Sequence, residues 1–288
     1  MGYLRGLNVT DLVAKLYAGV RVDEFDHRLE QPTRTPFLMQ PLPNAYFTCD
    51  PQSVIGNGLT INRMTYPVRQ VESLLTELVM THHPRFAGHV NIWRSRDVET
   101  CLEGGGVLIL NAHTLAVGLS ERIEQAAVSE LAETLFKLAD SQIDTVLMMQ
   151  IPHSHATMHL DTVFTMVNTN QFTIYPGILA DGQEIEMVLA RKKSSGEVVL
   201  GRRTDLLATL REVTGEVELD LILTGDGDPV SASREQWNDG SNTLTIAPGE
   251  VVTHDRNMLA MTCCENTASL YMKYGRVNSH VDGVDHAA

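Results

Sequence analysis

Two periodicities alternate along the chain. A 3.6-residue spacing of apolar positions predicts a short helix over Thr10–Ala18, where Leu12, Val13, Leu16 and Tyr17 share a face and Gly19 can end it. The same spacing predicts an amphipathic helix over Val68–Met80 and, most strongly, a helix over Glu121–Leu138. Between them lie short apolar runs that read as strands: AYFT at 45–48, LTIN at 59–62, HVNIW at 89–93 and DTVLMMQ at 144–150. VLIL at 107–110 and TLAVG at 114–118 predict a hairpin turning at Asn111-Ala112-His113. Residues 26–44 are polar with several prolines and read as an ordered loop.

Strand, strand, helix, strand is thus the order from 107 to 150. A similar order recurs from 164 to 223, where FTMV and FTIY precede MVLAR, a helix over Asp205–Val213 and ELDLIL. Repeated small units of this kind predict an α/β fold of several like modules packed in a ring or row. The stretch Met261–Ala288 shows neither strand nor helix periodicity.

Composition narrows the function classes. With 288 residues, 43% hydrophobic and 20% charged, the chain can bury a real core. Its net charge of −14 repels nucleic-acid phosphates and anionic lipid heads, but not a small cation. No apolar run is long enough to span a membrane, and the first residues carry no leader-like pattern. The four cysteines, Cys49, Cys101, Cys263 and Cys264, show no CxxC spacing, which predicts a cytoplasmic protein without a disulfide framework.

Three clusters carry candidate chemistry. PNAYFTCDP holds Asp50; LEGGGV holds Glu103 and is followed by GLSER with Arg122; MHLDTVFT holds His159 and Asp161. Three carboxylates converging in one pocket would suit a guanidinium, a flat cation with its donors in a fork. His159 has the chemistry for proton transfer near neutral pH. Each cluster has a plainer reading: an Asp after a strand commonly closes a turn, a Glu before glycines is often solvated, and HxD is often a structural hydrogen bond. A metal site is the weaker alternative, because His82, His83, His153 and His155 show no recognised ligand spacing.

These strings, with EQWNDGSNTLTIAPGEVVTHDRN at 235–257, resemble the arginine deiminase family over roughly residues 4–259. The resemblance implies a pseudo-symmetric α/β propeller of the pentein type, five-bladed, with a helical insertion. On that frame residues 1–36 are the end of the insertion, 37–259 an incomplete set of catalytic modules, and the first and last modules are missing. It implies that Asp50 and Asp161 bind the guanidinium nitrogens, and that Glu103 and His159 flank the reacting carbon with His159 as acid and base. Asn44, Arg69 and Arg122 would hold the substrate carboxylate, with Phe47 also lining the substrate site. The implied reaction hydrolyses L-arginine to citrulline and ammonia through a cysteine thiouronium, with no cofactor and no metal. It leaves assembly into a homo-oligomer open.

The sequence departs from that pattern in three places. Gly106 stands where the family has Asp, and Cys49 where it has Arg. The family's closing segment, SELxRGRGGPRCM with its nucleophilic cysteine, is replaced by Met261–Ala288. A set of codons for that stretch, read one base earlier, spells NDLLREHGIALHEVRPSELSRGRGGPRC, so residues 260–288 are expected to be out of frame after a one-base shift near Leu259–Ala260. As written the chain is then expected to be poorly soluble and to form no citrulline. The competing expectations are a non-catalytic arginine binder, another guanidine-modifying hydrolase such as an agmatine deiminase, or a metal hydrolase using His159.

Overall fold

The computed structural model describes residues 2–24, 35–43, 45–179, 184–257 and, as backbone, 270–274. Two helices, α1 (Gly2–Arg5) and α2 (Val9–Ala18), open the chain, and Asn8 caps α2 by accepting from the Asp11 N–H. Strand β1 (Val20–Arg21) then pairs antiparallel with β2 (Phe37–Met39). Part of the expected loop over 26–44 is therefore a strand, and residues 26–34 of it lie outside the described residues.

From there one unit repeats: an antiparallel hairpin, a crossover, and a strand parallel to the hairpin's second strand. The first is β3 (Gln52–Ile55), β4 (Gly58–Ile61), α3 (Gln70–His82) and β5 (Asn91–Arg94). The second is β6 (Val107–Ile109), β7 (Thr114–Leu119), α4 (Gln125–Lys137) and β8 (Thr145–Gln150). The third begins with β9 (Phe164–Asn168) and β10 (Gln171–Ile174). It then inserts the hairpin β11 (Glu184–Lys192) and β12 (Val198–Asp205) before α5 (Leu206–Thr214) and β13 (Asp220–Leu223). Helix α6 (Pro229–Trp237) leads to the fourth, β14 (Leu244–Ala247), β15 (Glu250–His254) and β16 (Leu270–Tyr274).

The inserted hairpin ties two units together. Strand β11 pairs with β8, so the second unit's sheet grows to the order β12-β11-β8-β7-β6. Its central strands β7 and β8 are buried on both faces, which explains their continuous apolar runs. Leu115, Val117, Val146 and Met148 pack with α4 through Ala127, Val128, Leu131, Ala132, Leu135 and Phe136, the stripe of an amphipathic helix. Ala116, Leu147 and Met149 face the third unit, where Phe164 and Phe172 stack at 5.1 Å.

Several expectations shift. The segment 45–48 is no strand: the chain bends there, and Tyr46 and Phe47 are exposed instead of packed. The helix expected from Glu121 begins at Gln125, because Ser120 and Ile123 form a bridge that turns Glu121 and Arg122 out of helical geometry. The stretch after Met261, read as patternless, contributes β16 in parallel register with β15.

Candidate active site

The repeat places the chemistry. Asp50 precedes β3, Glu103 precedes β6 through the 3-10 turn Gly104–Gly106, and His159 and Asp161 precede β9. Each stands at the entrance to its unit's first strand, so the packed units bring the three entrances together. Asp239 of the NDG turn holds the same place before β14, with φ 59. Arg69 follows β4 and Arg122 follows β7, again equivalent places in successive units.

Glu103 is the centre of the network and is fully buried. Its Oε1 accepts the Thr65 backbone N–H at 2.9 Å. Its Oε2 is 2.8 Å from His159 Nε2, 3.4 Å from Arg122 Nη1 and 3.7 Å from Arg69 Nη1. Burial alone would raise the Glu103 pKa, but the His159, Thr65 and Arg122 partners hold it below the ordinary value. Burial pulls His159 the other way, and the Glu103 hydrogen bond with the Asp50 and Asp161 charges lifts it above the ordinary histidine range. His159 Nδ1 lies 3.5 Å from Asp50 Oδ1, so the ring sits between two carboxylates that favour its protonated form.

Asp50 is held at its backbone, where its carbonyl accepts from Asn62 Nδ2 and from the Gly104 N–H, both at 2.9 Å. Its Oδ2 takes Arg69 Nη2 at 2.9 Å. Asp161 differs. Burial, opposed by His159 and aided by the Asp50 and Asp239 charges, has pushed its pKa up to about 7. Its Oδ1 is shielded from solvent and has no hydrogen-bond partner among the described residues. Gly105 packs among these groups: a Cβ there would sit 2.7 Å from His159 Nδ1, 2.8 Å from Asp50 Oδ1 and 3.0 Å from Asp161 Oδ2.

Six of the eight expected residues are therefore gathered in one place: Asp50, Glu103, His159, Asp161, Arg69 and Arg122. Phe47 is exposed, with its ring edge-on to Tyr46, and Asn44 lies outside the described residues. Sequence reading missed four participants. Glu72 forks onto Arg69, Tyr66 lies under the Arg122 guanidinium at 4.3 Å, Thr65 holds Glu103, and Gly105 makes room. Only Gly105 left a trace, in the glycine run after Glu103.

The two departures have local explanations. A Cβ on Gly106 would meet Ile123 Cδ1 at 2.1 Å, so Ile123 fills the space that an acidic side chain would take. Cys49 lies in the bend before Asp50 and is exposed. Packing around its sulfur and the Asp161 and Asp50 charges push its pKa up, which keeps it a thiol.

Chemically the arrangement can bind a planar cation and move protons. Asp50, Glu103 and His159 also bring one ligand-type atom each within 4.8 Å of one another, as a metal site would. Against a metal ion stand the Arg69 and Arg122 guanidiniums on the same carboxylates and the raised pKa of His159. No helix among the described residues is long and apolar enough to cross a membrane.

Known proteins share this frame. The arginine deiminases of Limosilactobacillus fermentum and Lactococcus lactis subsp. cremoris are 50% and 51% identical to the chain over 264 and 266 residues. Those stretches are 90% of this chain but 64% and 65% of the relatives, so the chain spans under two thirds of their length. Among solved structures, unliganded AgrE superposes with TM-score 0.55 at 17% identity, covering 82% of this chain and 29% of AgrE. The substrate-bound N-terminal domain of ArgZ, a cyanobacterial arginine dihydrolase, gives 0.56 at 14%, covering 82% and 70%. DDAH of Pseudomonas aeruginosa, complexed with citrulline, gives 0.54 at 12%, covering 82% and 72%. At such identities the likeness is one of fold, and it makes the repeated unit a blade of the pentein type. With half of its aligned positions shared across 90% of its length, and the arginine deiminase family model matched from residue 13 to residue 272, the chain belongs to the arginine deiminase family.

Proposed function

We propose that the chain forms the guanidinium site of an arginine deiminase, the hydrolase that converts L-arginine to L-citrulline and ammonia. The observation that carries this reading is the Asp161 carboxylate, with a shielded oxygen that lacks a donor among the described residues, beside two further acids. A guanidinium supplies what that oxygen lacks, and its plane lets one cation meet Asp161 and Asp50 together. Glu103 and His159 then flank the reacting carbon, and protonated His159 can hand a proton to departing ammonia. Arg69, Arg122 and Asn44 are assigned to the substrate carboxylate, and Phe47 to the rim.

In the family's chemistry a thiolate sulfur bonds to the guanidinium carbon, the C–N bond to ammonia breaks, and water then releases citrulline. Cys49 and Cys101 are the cysteines among the described residues, and Cys49 is held as a thiol. Cys263 and Cys264 lie outside the described residues, and because Met261–Ala288 stands in place of the family's closing segment with its nucleophile, the 288-residue chain is proposed to bind L-arginine without turning it over.

Titration calorimetry tests the site. Binding needs Asp161 ionised, so at pH 6, below its pKa of about 7, each bound arginine should release close to one proton. At pH 8.5 the release should vanish and affinity should rise. Proton release is read from the dependence of the heat on buffer ionisation enthalpy. No release at either pH, with pH-independent affinity, would overturn the assignment.

Asp161→Asn separates binding from folding. Its binding loss should be about tenfold to a hundredfold, the worth of a charge-assisted hydrogen bond. Stability should move the opposite way. A carboxyl with a raised folded pKa costs nothing below pH 3.8 and its full penalty above about 7. The variant should therefore be more stable by about 1–3 kcal/mol at pH 8, discounted for partial exposure, and unchanged at pH 3.5. Urea midpoints at the two pH values check this.

A further inference from the structure

The guanidinium on the site's carboxylates in this structure is the protein's own. Arg69 Nη2 donates to Asp50 Oδ2 at 2.9 Å, and Nη1 lies 3.7 Å from Glu103 Oε2. Its other edge forks onto Glu72, with Nε to Oε1 at 2.9 Å and Nη2 to Oε2 at 2.8 Å. Glu72 is buried in the first turn of α3, three residues from Arg69, so the two are fixed on one rigid element. Arg122 is placed differently, stacked on Tyr66 and tied to Glu121, with Glu103 as its link to the acids. Asp161 Oδ1 meanwhile lacks a donor among the described residues. The acid set is thus half filled, by a side chain.

We propose that Arg69 is a specificity-determining plug, which leaves Asp50 only for a ligand that brings its own carboxylate. The inference rests on the arginine reading above and deepens it. When L-arginine enters, its guanidinium replaces that of Arg69 on Asp50, and its α-carboxylate gives the displaced Arg69 a new bidentate partner. Glu72 remains bonded throughout and acts as the pivot. Every buried charge keeps a partner, so the exchange is nearly balanced. A guanidinium without a carboxylate displaces Arg69 and returns nothing to it, which leaves a buried pair broken. Selectivity for amino-acid substrates would then come from the cost of removing an internal competitor as well as from contact with the ligand carboxylate.

The two origins make opposite predictions for removal of the plug. Agmatine, which is L-arginine without its carboxylate, is the probe. In Arg69→Met the competitor is gone and Asp50 is left needing a cation. Agmatine should bind this variant about tenfold or more tightly than it binds the parent chain, while L-arginine affinity falls about tenfold or more. If Arg69 served only as a carboxylate contact or a packing element, agmatine binding would stay level or fall, and the plug would be overturned. Arg69→Lys, which keeps a buried cation but cannot bridge Asp50 and Glu72 as a fork, covers the case in which the Met variant does not fold. It should show the same directions at smaller size, and the absence of an agmatine gain there overturns the proposal equally. Near-ultraviolet circular dichroism verifies that each variant is folded. The two readings fail separately. A parent chain that ignores L-arginine while Arg69→Met gains agmatine keeps the plug and removes the arginine reading. A parent that binds L-arginine with no agmatine gain in the variants does the reverse.

Discussion

Glu103→Gln should destabilise the chain by about 3–5 kcal/mol near pH 6, the cost of removing one member of a buried ionic network. The side chain is fully buried, and its Oε2 alone serves His159, Arg122 and Arg69. A glutamine oxygen can still accept the Thr65 N–H, so the loss is one of charge with little change of shape. The pH dependence carries the sharper test. Glu103 has a folded pKa below its ordinary 4.5, so its contribution is complete above that pH and fades as the solution is acidified. His159 has a folded pKa above its ordinary 6.5, so its contribution is complete below that pH and is lost as pH rises through the folded value. The pair therefore stabilises most between about pH 4.5 and 6.5, and the deficit of the glutamine variant should peak there. As the solution is acidified below 4.5 the contribution of the Glu103 charge fades, and the deficit should shrink toward pH 3. Equal deficits at pH 3 and pH 6 in urea unfolding would show that packing, and not charge, holds this centre together.

How far the sequence reached depends on what each residue answers to. The hairpin at 107–118 and α4 were legible because burial writes periodicity into them: β7 is buried throughout, and α4 shows one apolar stripe. The same logic failed at 45–48, where the aromatic run AYFT imitates a strand but Tyr46 and Phe47 face outward around the bend that sets Asp50. It also failed at β12, an edge strand with Val198, Val199 and Leu200 exposed, whose order comes from its register with β11. Among the site residues, Asp50, Glu103, His159 and Asp161 were legible as charged residues embedded in apolar strings. Glu72 was not: on a helix its carboxylate looks like any solvated face, and only Arg69 folding back against it makes it part of the site. Tyr66 and Thr65 act through a ring face and a backbone N–H, features that residue type alone does not announce.

Gly105→Ala should weaken L-arginine binding by about a hundredfold or more, in keeping with the cost of misplacing site groups by an ångström. The backbone there is not left-handed, so alanine meets no conformational strain and the whole effect comes from where the methyl lands. It lands 2.7 Å from His159 Nδ1 and 2.8 Å from Asp50 Oδ1, distances that real Cβ atoms essentially never keep, and 3.0 Å from Asp161 Oδ2, a tight contact that makes that oxygen give by a few tenths of an ångström. His159 and Asp50 would have to withdraw and Asp161 to give slightly, and all three are groups assigned to the guanidinium. The fold should bear this better than the site does, with a stability loss of about 1–3 kcal/mol for added bulk in a packed centre. Gly106→Ala is the control from the same turn. Its methyl would meet Ile123 Cδ1 at 2.1 Å, the tip of an aliphatic side chain that can rotate, and none of the acids. It should lose stability on a similar scale and keep L-arginine affinity within a few fold. Calorimetry on the two variants side by side decides the matter: parallel losses of binding would mean that the glycine turn acts through the fold, whereas a loss confined to Gly105→Ala would place the ligand's cation against this one residue.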